Sequence, residues 1–379
     1  MVNYDFLSVY FYSVPNLRFT NNQLKDFKIV DICKLKQGNQ YDLKQQFTEE
    51  KSDLKRFIRI IDYTQKTNDI RYVYSNGSEN YVDCTDVVVV RYGASAGYVG
   101  RGINGIIANN LFTIRPINSA LLNKSYLYHY LNAPVIQKQL NNTQSSGMPA
   151  LNFQTINNLH ILLPEYQEQR QIAVFLDKID ERIQTQIKII DDYNSLKIGI
   201  YNWMFKENYA DYKLKQLAYI VKGDQINNDQ LLSNGSYYMM NGGTSPSGYL
   251  DSYNVSENTI SISEGGNSCG YVQFNSSPFW SGGHCYTIQN VNSALIDNKY
   301  LYHYLKHKEK EIMNLRIGTG LPNIQKRDLE NFTILAPNLS IQRKNLALFE
   351  MLDEKISVLN EELTILEKQK KYLLCNMFI

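Results

Sequence analysis

The chain has 379 residues, more than one ordinary domain requires, and this length predicts two or three domains. Hydrophobic residues make up 43% of the sequence and charged residues 20%, which excludes a disordered chain. The net charge of +2, from 39 basic and 37 acidic residues, argues against a stand-alone binder of polyanions and equally against an acidic mimic of DNA.

Neither a membrane span nor a secretory signal is expected. The apolar stretch near the start, Phe6 to Val14, is far shorter than the ~20 residues of a spanning helix, and no basic segment precedes it. The five cysteines are odd in number and widely spaced. We therefore expect a cytoplasmic protein without disulfides and without contact to a membrane.

The second half of the sequence repeats motifs of the first half in the same order, at an offset of about 173 residues. The hexapeptide Tyr126–Leu131 recurs at 300–305, Gly147-Met148-Pro149 recurs at 320–322, and Gln169-Arg170 recurs at 342–343. The shared order indicates an internal duplication. It divides the chain into residues 1–164, 165–207, 208–338 and 339–379, as mixed unit, helix, mixed unit and helix.

Each mixed unit combines predicted strands with predicted helices. Val87–Val90 is a β-branched run followed by Gly93 and Gly97, and 260–263 is its counterpart in the second repeat. Residues 126–139 and 299–314 have the pattern of helices. The predicted fold class of both units is therefore α+β.

Two long helices are predicted, from Gln167 to about Met204 and from Ser340 to Met377, because proline is absent from both stretches. Apolar residues recur in both with the 3.5-residue spacing of a coiled-coil seam. Lys197 and Lys370 interrupt this seam at matching positions, where they either set its register or extend to solvent at a frayed end. The seam comprises Leu176, Ile179, Ile183 and Ile190 in the first helix, and Phe349, Leu352, Ile356, Leu359, Leu363 and Leu366 in the second.

The order of the segments predicts that the two helices pair in an antiparallel coiled coil. The first helix runs from the first unit to the second, so a partner that starts at the second unit must run back. The molecule would then have approximate two-fold symmetry within one chain. Two similar modules at a fixed separation are suited to reading two half-sites on duplex DNA.

No catalytic signature is found in the sequence. A Gly-Lys dipeptide, a Pro-Pro pair and a His-Glu-x-x-His motif are all absent, which argues against a phosphate-binding loop, an amino-methyltransferase motif and a zinc protease motif. Cys269, His284 and Cys285 lack the short spacing of a zinc knuckle. His129 and His303 occupy matching positions in Tyr-rich helices, and we expect both to be structural. We expect no metal site and no catalytic residue.

The sequence resembles a known family, the specificity (S) subunits of type I restriction-modification systems. The resemblance is carried by Val14–Phe19 followed by Phe27-Lys28-Ile29, by Asn241–Tyr249, by 147–152 leading into Pro164 to Arg170, and by Gly318–Ile324 leading into Pro337. One departure is Ile341, which stands where the first repeat has Glu168 and puts strict equivalence of the two helix starts in doubt.

The resemblance implies that each mixed unit is a target recognition domain that reads one half of a bipartite, asymmetric DNA site. It implies that the paired helices space these domains and dock two modification (methyltransferase) subunits. Those partners would bind S-adenosylmethionine and methylate adenine, and a restriction subunit would use ATP and Mg²⁺. This chain would bind none of these cofactors and would not be an enzyme.

Candidate DNA contacts are side chains able to reach groove edges or phosphates, set in glycine-rich loops that allow close approach. The candidates in the first unit are Lys34, Lys36, Arg91, Tyr92, Ser95, Tyr98, Arg101 and Ser146. Those in the second unit are Lys222, Asn241, Thr244, Ser245, Ser247, Tyr249, Asn267, Ser268, Tyr271 and Thr319.

Two other classes of function stay open at this stage. A structural adaptor would use its helices to pair with other proteins and its units to bind proteins or glycans. It would form no complex with DNA, whereas phosphate contacts would give DNA binding that weakens steeply with salt. A self-contained methyltransferase would bind S-adenosylmethionine without partners.

Overall fold

The structure is a computed structural model, and it describes residues 24–65, 67–77, 79–141, 149–205, 209–318, 320 and 322–378, with only the backbone of residue 228. The chain divides into two compact units. Unit 1 comprises residues 1–187 and 361–379, and unit 2 comprises residues 188–360.

Unit 1 combines sheets and helices. Its strands are β1 (Lys25–Lys28), β2 (Cys33–Gln37), β3 (Leu54–Ile58), β4 (Arg71–Tyr74), β5 (Tyr81–Val82), β6 (Val87–Val90), β7 (Val99–Gly100), β8 (Gly105–Ile107), β9 (Leu111–Pro116) and β10 (His160–Leu163). Its helices are α1 (Ile29–Ile32), α2 (Ile60–Thr64), α3 (Lys124–Leu131), α4 (Pro134–Asn141), α5 (Phe153–Asn157), the first part of α6 (Tyr166–Met204) and residues 361–377 of the last helix of the chain.

The central sheet of unit 1 is antiparallel with strand order β2-β9-β6-β7, and its strand β6 is the predicted valine run. Side chains alternate between the two faces of a strand. Val87 and Val89 accordingly pack into the main core with the helices, whereas Val88 and Val90 pack into a second core with Ile107. A second sheet has the order β4-β3-β8-β5. Because β6 is buried on both faces, its sequence is a continuous apolar run.

Unit 2 contains the same kinds of element. Its strands are β11 (Ala210–Lys213), β12 (Tyr219–Lys222), β13 (Tyr237–Met240), β14 (Gly248–Leu250), β15 (Thr259–Ser263), β16 (Val272–Asn275), β17 (Trp280–Ser281), β18 (Cys285–Gln289) and β19 (Thr333–Ala336). Its helices are the last part of α6, α7 (Leu214–Leu217), α8 (Asn298–His307), α9 (Glu309–Met313), α10 (Lys326–Glu330) and the first part of α11 (Leu339–Met377).

The central sheets of the two units share one topology. In unit 2 the strand order is β12-β18-β15-β16, and β15 takes the position of β6. Ile260 and Ile262 of β15 face the helical core. Ser261 and Ser263 on the opposite face are also buried, and they are hydrogen-bonded to Asn275 and to the Gly242 carbonyl. The second face of the strand therefore differs in polarity between the repeats.

Each of the helices predicted at 126–139 and 299–314 is interrupted. In unit 1 the break falls between α3 and α4, because Pro134 has no N–H for a helical hydrogen bond and restricts the residue before it. In unit 2 the break falls at Lys308, which has φ −87° and ψ 11°. The single-helix prediction was wrong at these two points.

A buried glutamine amide anchors the start of each long helix. Gln169 accepts a hydrogen bond from the Asn123 N–H (3.0 Å) and donates to the carbonyls of Leu121 and Pro164 (3.0 Å each). Gln342 makes the same three bonds, with the N–H of Asp297 and the carbonyls of Leu295 and Pro337. The two helix starts are equivalent at this position, although Ile341 replaces Glu168.

The long helices run antiparallel to one another within each unit. In unit 1, Asp180 of α6 pairs with Lys370 of α11 at 2.5 Å, and Gln186 donates to Glu362. In unit 2, Lys197 pairs with Asp353. Later residues of α6 thus meet earlier residues of α11 in both units. This confirms the predicted fold class of two similar α+β domains, each followed by a long helix that pairs in antiparallel fashion.

The ten predicted seam residues are buried or half-buried. Ile179, Ile356 and Leu363 are the half-buried members. The two lysines that interrupt the seam form ion pairs with aspartates at matching positions of the repeat, which favours a role in setting register over a frayed helix end. The fully buried members are Leu176, Ile183, Ile190, Phe349, Leu352, Leu359 and Leu366.

Phe349 is the aromatic centre of the helix pair in unit 2. Its ring is fully buried and lies 4.4 Å from the Tyr201 ring and 5.1 Å from the His303 ring, measured between centroids. We expect Phe349→Ala to lower the free energy of unfolding by about 3–5 kcal/mol, the cost of a cavity of this size. Urea unfolding would measure this change. Met351→Ala on the exposed face is the control and should change it by under ~0.5 kcal/mol.

His303 is buried in the same region and hydrogen-bonds through Nδ1 to the Tyr201 hydroxyl at 2.8 Å. Burial lowers the pKa of His303 to about 4, against the opposing effect of Asp353 and with a smaller contribution from Lys197. The unfolded chain therefore binds a proton at this residue at a higher pH than the folded chain does.

The stability from neutral His303 is complete above about pH 6.5 and is lost as the pH falls toward 4. Between pH 7 and pH 5 we expect the free energy of unfolding of the wild type to fall by about 2 kcal/mol more than that of His303→Gln. Urea titrations of both proteins at the two pH values measure this. Parallel pH profiles of the two proteins would contradict the assignment.

Candidate nucleic-acid interface

The loops that follow β6 and β15 have the same length and the same main-chain hydrogen bonds. We call them the β6–β7 loop (residues 91–98) and the β15–β16 loop (residues 264–271). In the first, Val90 N donates to Tyr98 O and Gly97 N donates to Val90 O. In the second, Ser263 N donates to Tyr271 O and Gly270 N donates to Ser263 O. The repeats therefore fold these two loops alike.

Two glycines shape each loop. Gly93 and Gly97 have φ of 90° and 92°, and Gly266 and Gly270 have φ of 76° and 91°. Side chains other than glycine rarely adopt these angles. At Gly270 an added Cβ would also lie 2.8 Å from the Cα of Met313. The glycines are required by the loop geometry.

Each loop is held at a second point by a proline carbonyl. Gly93 N donates to Pro149 O at 2.9 Å, and Gly266 N donates to Pro322 O at 3.0 Å. The repeated Gly-x-Pro motif thus brings its chain segment against the loop. Two predicted contacts of these segments, Ser146 and Thr319, lie outside the described residues.

The β15–β16 loop borders a cleft of about 540 Å³ in unit 2. Three predicted contacts, Lys222, Asn241 and Ser247, come together there. Asn241 is partly engaged, because its Oδ1 accepts a hydrogen bond from His284 N at 3.0 Å. The cleft is also lined by Glu264, His284 and Asn323. A cleft with several donors and acceptors is suited to reading base edges.

The other predicted contacts of unit 2 have varied surroundings. Thr244, Ser245 and Asn267 are exposed and Ser268 is half-buried. Tyr271 is half-buried, and the Lys306 ammonium lies 4.1 Å from its ring centroid. Tyr249 was predicted in a loop but lies in strand β14, where it pairs with Tyr238. Tyr249 is exposed and Leu250 is buried, which is the alternation of side chains along a strand. The loop therefore ends before Gly248.

Glu264 is a site residue that the sequence analysis did not select. It is 8% exposed, and its Oε1 accepts hydrogen bonds from Lys222 Nζ at 2.6 Å and Tyr286 Oη at 3.1 Å. The Oε2 atom is buried and accepts no hydrogen bond from the described residues. His284 Nδ1 lies 3.9 Å from this atom. The sequence feature that could have indicated Glu264 is its position at the start of a glycine-rich loop.

Arg91 begins the β6–β7 loop and is held between aromatic rings. Its guanidinium lies 4.4 Å from the Phe153 ring centroid and 4.8 Å from that of Tyr92. Nη1 donates a hydrogen bond to Gln37 Oε1 at 2.7 Å. Tyr92 itself is 36% exposed. These contacts fix the direction of the guanidinium before any ligand binds.

Ser95 and Tyr98 line a second cleft, of about 470 Å³, on unit 1. Tyr63, Gln137 and Asn141 also line it. Burial raises the pKa of Tyr98, so its hydroxyl remains a neutral hydrogen-bonding group. The structure therefore brings these two predicted contacts together.

Arg101, a predicted DNA contact, has its side chain engaged by other groups of unit 1. Its guanidinium pairs with Asp177 at 2.5 Å and Asp180 at 3.5 Å, and it lies 3.9 Å from the Tyr128 ring centroid. The side chain therefore links the segment after β7 to α6. The two aspartates lie more than 70 positions from Arg101, and no sequence pattern indicated the pairing.

Lys34 and Lys36 are exposed on one face of β2, as predicted for phosphate contacts. Lys36 Nζ donates to the Glu79 carbonyl at 3.2 Å. Lys222, a predicted phosphate contact of unit 2, is the last residue of β12, and its side chain is 51% exposed. Flexible exposed ammonium groups of this kind contact phosphates without reading sequence.

Among the described residues, one set of three groups is close enough to share a metal ion, namely His129, Asp177 and Asp180. Burial opposes ionisation of Asp177, but hydrogen bonds from His129, Arg101 and Ser125 hold its pKa well below its usual range. Arg101 and Lys370 already neutralise these carboxylates. This set is therefore an ion-pair network, with His129 as a structural member.

Cys269, His284 and Cys285 form no such set within the described ranges. The Cys269 thiol donates to the Glu264 carbonyl, and burial raises the pKa of Cys285 to about 11. Thiols in this state are poor metal ligands.

Comparisons with known proteins identify the family. The sequence model for the type I restriction modification DNA specificity domain matches residues 21–191 and again residues 206–368. Two matches to one model account for most of the chain. The chain belongs to the type I restriction-modification DNA specificity family.

A putative type I specificity subunit of Mycoplasma pneumoniae is 35% identical over 127 residues, which is 34% of this chain and 34% of that protein. The matched stretch therefore spans about a third of this relative's length. The crystal structure of the S subunit of a type I system from M. genitalium covers 97% of this chain and 99% of its own, with a TM-score of 0.65 and 19% identity.

A structure from a study of complex assembly and conformational transition in a type I restriction-modification system covers 94% of this chain and 97% of its own, with a TM-score of 0.52 and 13% identity. At these identities the two structural similarities establish the fold. No helix in the described part of the chain is long and apolar enough to cross a membrane.

Gly270 allows a direct test of the loop geometry. We expect Gly270→Ala to lower the free energy of unfolding by about 1–3 kcal/mol, because alanine is strained at its φ and the Cβ would contact Met313. Thermal unfolding would measure this change. Gly199→Ala, on an exposed helical position with open space around the added Cβ, is the control and should raise stability by about 0.5–1 kcal/mol. A neutral effect at Gly270 would show that the loop geometry is not constrained.

Proposed function

We propose that this chain reads a bipartite, asymmetric DNA sequence for a type I restriction-modification complex, with one half-site read by each unit. The family supports DNA sequence specificity. One observation supports the reading of two half-sites. The β6–β7 and β15–β16 loops share the same main-chain hydrogen bonds but carry different side chains. A shared loop shape with different side chains is suited to two different sequences on similar DNA surfaces.

The long helices are proposed to space the two units and to dock two modification subunits. Their outer faces carry exposed apolar side chains, including Val174 and Phe175 on α6 (51% and 43% exposed) and Ile365 on α11 (53% exposed). Exposed apolar side chains on a helix are suited to protein contacts. The assembly study on a structural neighbour is consistent with partners of this kind.

Catalysis is assigned to the partner subunits in this proposal. The modification subunits would bind S-adenosylmethionine and transfer the methyl group, and a restriction subunit would use ATP and Mg²⁺. This chain would contribute DNA recognition and would bind none of these cofactors. Calorimetry with the isolated chain and S-adenosylmethionine tests this division, and binding at micromolar affinity would overturn it.

Exchange of residues 1–164 for the same region of a relative tests the modular reading of DNA. We expect the methylated motif of the host genome to change in one half-site only, because unit 2 keeps its loops. Methylation mapping with the wild-type and chimeric chains measures this. The reciprocal exchange of residues 208–338 is the matched control and should change only the other half-site.

A change in both half-sites, or in neither, would contradict the proposal. Binding of a duplex that carries the mapped motif should also weaken steeply with salt, with a slope of about −0.9 for each phosphate contact. If the chain binds no DNA even at low salt, the adaptor interpretation is favoured instead.

A further inference from the structure

The first residue of the β6–β7 loop and the first residue of the β15–β16 loop occupy equivalent positions but have opposite charge. Arg91 N donates to Asn110 O, and Arg91 O accepts from Leu151 N. Glu264 makes the matching main-chain bonds with His284 and Ile324. The main chain therefore presents these two side chains in the same way in each unit.

The residue that contacts each of these side chains is equivalent as well. Gln37 is the last residue of β2 and Lys222 is the last residue of β12. The N–H of the glycine after each of them donates to a main-chain carbonyl of the adjacent strand, β9 or β18, at 2.9 Å in both units. Unit 1 thus has the pair Gln37–Arg91, at 2.7 Å, where unit 2 has the pair Lys222–Glu264, at 2.6 Å. The first pair carries a net positive charge, whereas the second is an ion pair whose carboxylate takes the place of the Arg91 guanidinium.

We infer that this position selects one base in each half-site, with Arg91 reading a guanine and Glu264 reading a cytosine. The inference rests on the proposed function, since it names the bases that the two units would read. The guanidinium of Arg91 matches the O6 and N7 acceptors of guanine in the major groove. Its Nη2 hydrogens remain for such a contact, since Nη1 makes the bond to Gln37.

Glu264 is suited to cytosine because its carboxylate can accept a hydrogen bond from the exocyclic N4 amino group. Adenine also has an amino group, but its N7 acceptor lies beside it and would repel the second carboxylate oxygen. Lys222 and Tyr286 occupy Oε1, whereas the buried Oε2 accepts no hydrogen bond from the described residues. Glu264 and His284 both line the cleft, and the exposed His284 side chain lies 3.9 Å from Oε2, so base reading would require His284 to rotate away from this atom.

The test selects sequences from a duplex library, randomised over both half-sites, with the full-length chain and its variants. Glu264→Gln preserves the size of the side chain, and with its oxygen held by Lys222 and Tyr286 the amide places an N–H donor where the wild type has Oε2. Because a donor cannot accept a hydrogen bond from the N4 amino group, we expect this variant to lose the preference for cytosine at one base of one half-site, by roughly tenfold to a hundredfold. The other half-site should be unchanged.

The double variant K222Q/E264R gives unit 2 the pair of unit 1 and should shift the same base to guanine. The reciprocal variant Q37K/R91E should shift one base of the other half-site from guanine to cytosine. Glu257→Gln is the matched control, since this exposed glutamate precedes β15 whereas Glu264 follows it. It should leave the selected sequence and the affinity unchanged.

The outcomes separate the inference from the proposed function. Selection of no sequence by the wild-type chain would overturn both. A wild-type motif that Glu264→Gln retains, with affinity lowered equally for all sequences, would show that Glu264 only braces Lys222 and Tyr286, and would overturn the inference alone. Circular dichroism of each variant confirms that it is folded. A single-base change confined to the expected half-site supports the inference.

Discussion

The buried side-chain amides of Gln169 and Gln342 fix the relative positions of the segments that meet at the start of each long helix. Each amide bonds three main-chain groups that belong to the end of the last strand, to the turn before the Tyr-rich helix and to the N-cap of that helix. An unpaired group at any of these buried points would cost about 1–3 kcal/mol, so the three segments must meet at one geometry. The direction in which each long helix leaves its domain follows from this constraint, and so does the position of the helix that packs beside it.

The ion pairs between the long helices are equivalent by the same duplication. Lys370 pairs with Asp180 in unit 1, and Lys197 pairs with Asp353 in unit 2. Partly exposed pairs of this kind add little stability. These pairs instead fix the alignment of the two helices, because a shift of one helix turn would place a lysine against apolar side chains instead of a carboxylate. Two weak contacts thus exclude alternative alignments of an otherwise apolar seam.

The large-scale organisation could be predicted from the sequence, because repetition and 3.5-residue spacing are visible without coordinates. The repeated Gln169-Arg170 motif indicated an equivalence whose cause, the buried amide, required the structure. Arg101 shows the limit of such reasoning, since its partner Asp177 is 76 positions away and a loop arginine is typical of a DNA contact. Glu264 was missed for the opposite reason, because an acidic residue is an unusual candidate at a nucleic-acid surface. Only the matched hydrogen bonds of Arg91 and Glu264 show that they occupy one position.

The β6–β7 and β15–β16 loops are held almost wholly by main-chain groups and by glycines, and this has an evolutionary consequence. Side chains at their first positions can be exchanged without remodelling the backbone, since none of the bonds that set the loop shape depends on them. Under the proposed function, single codon changes at these positions would therefore produce new specificities, and the two copies could diverge independently.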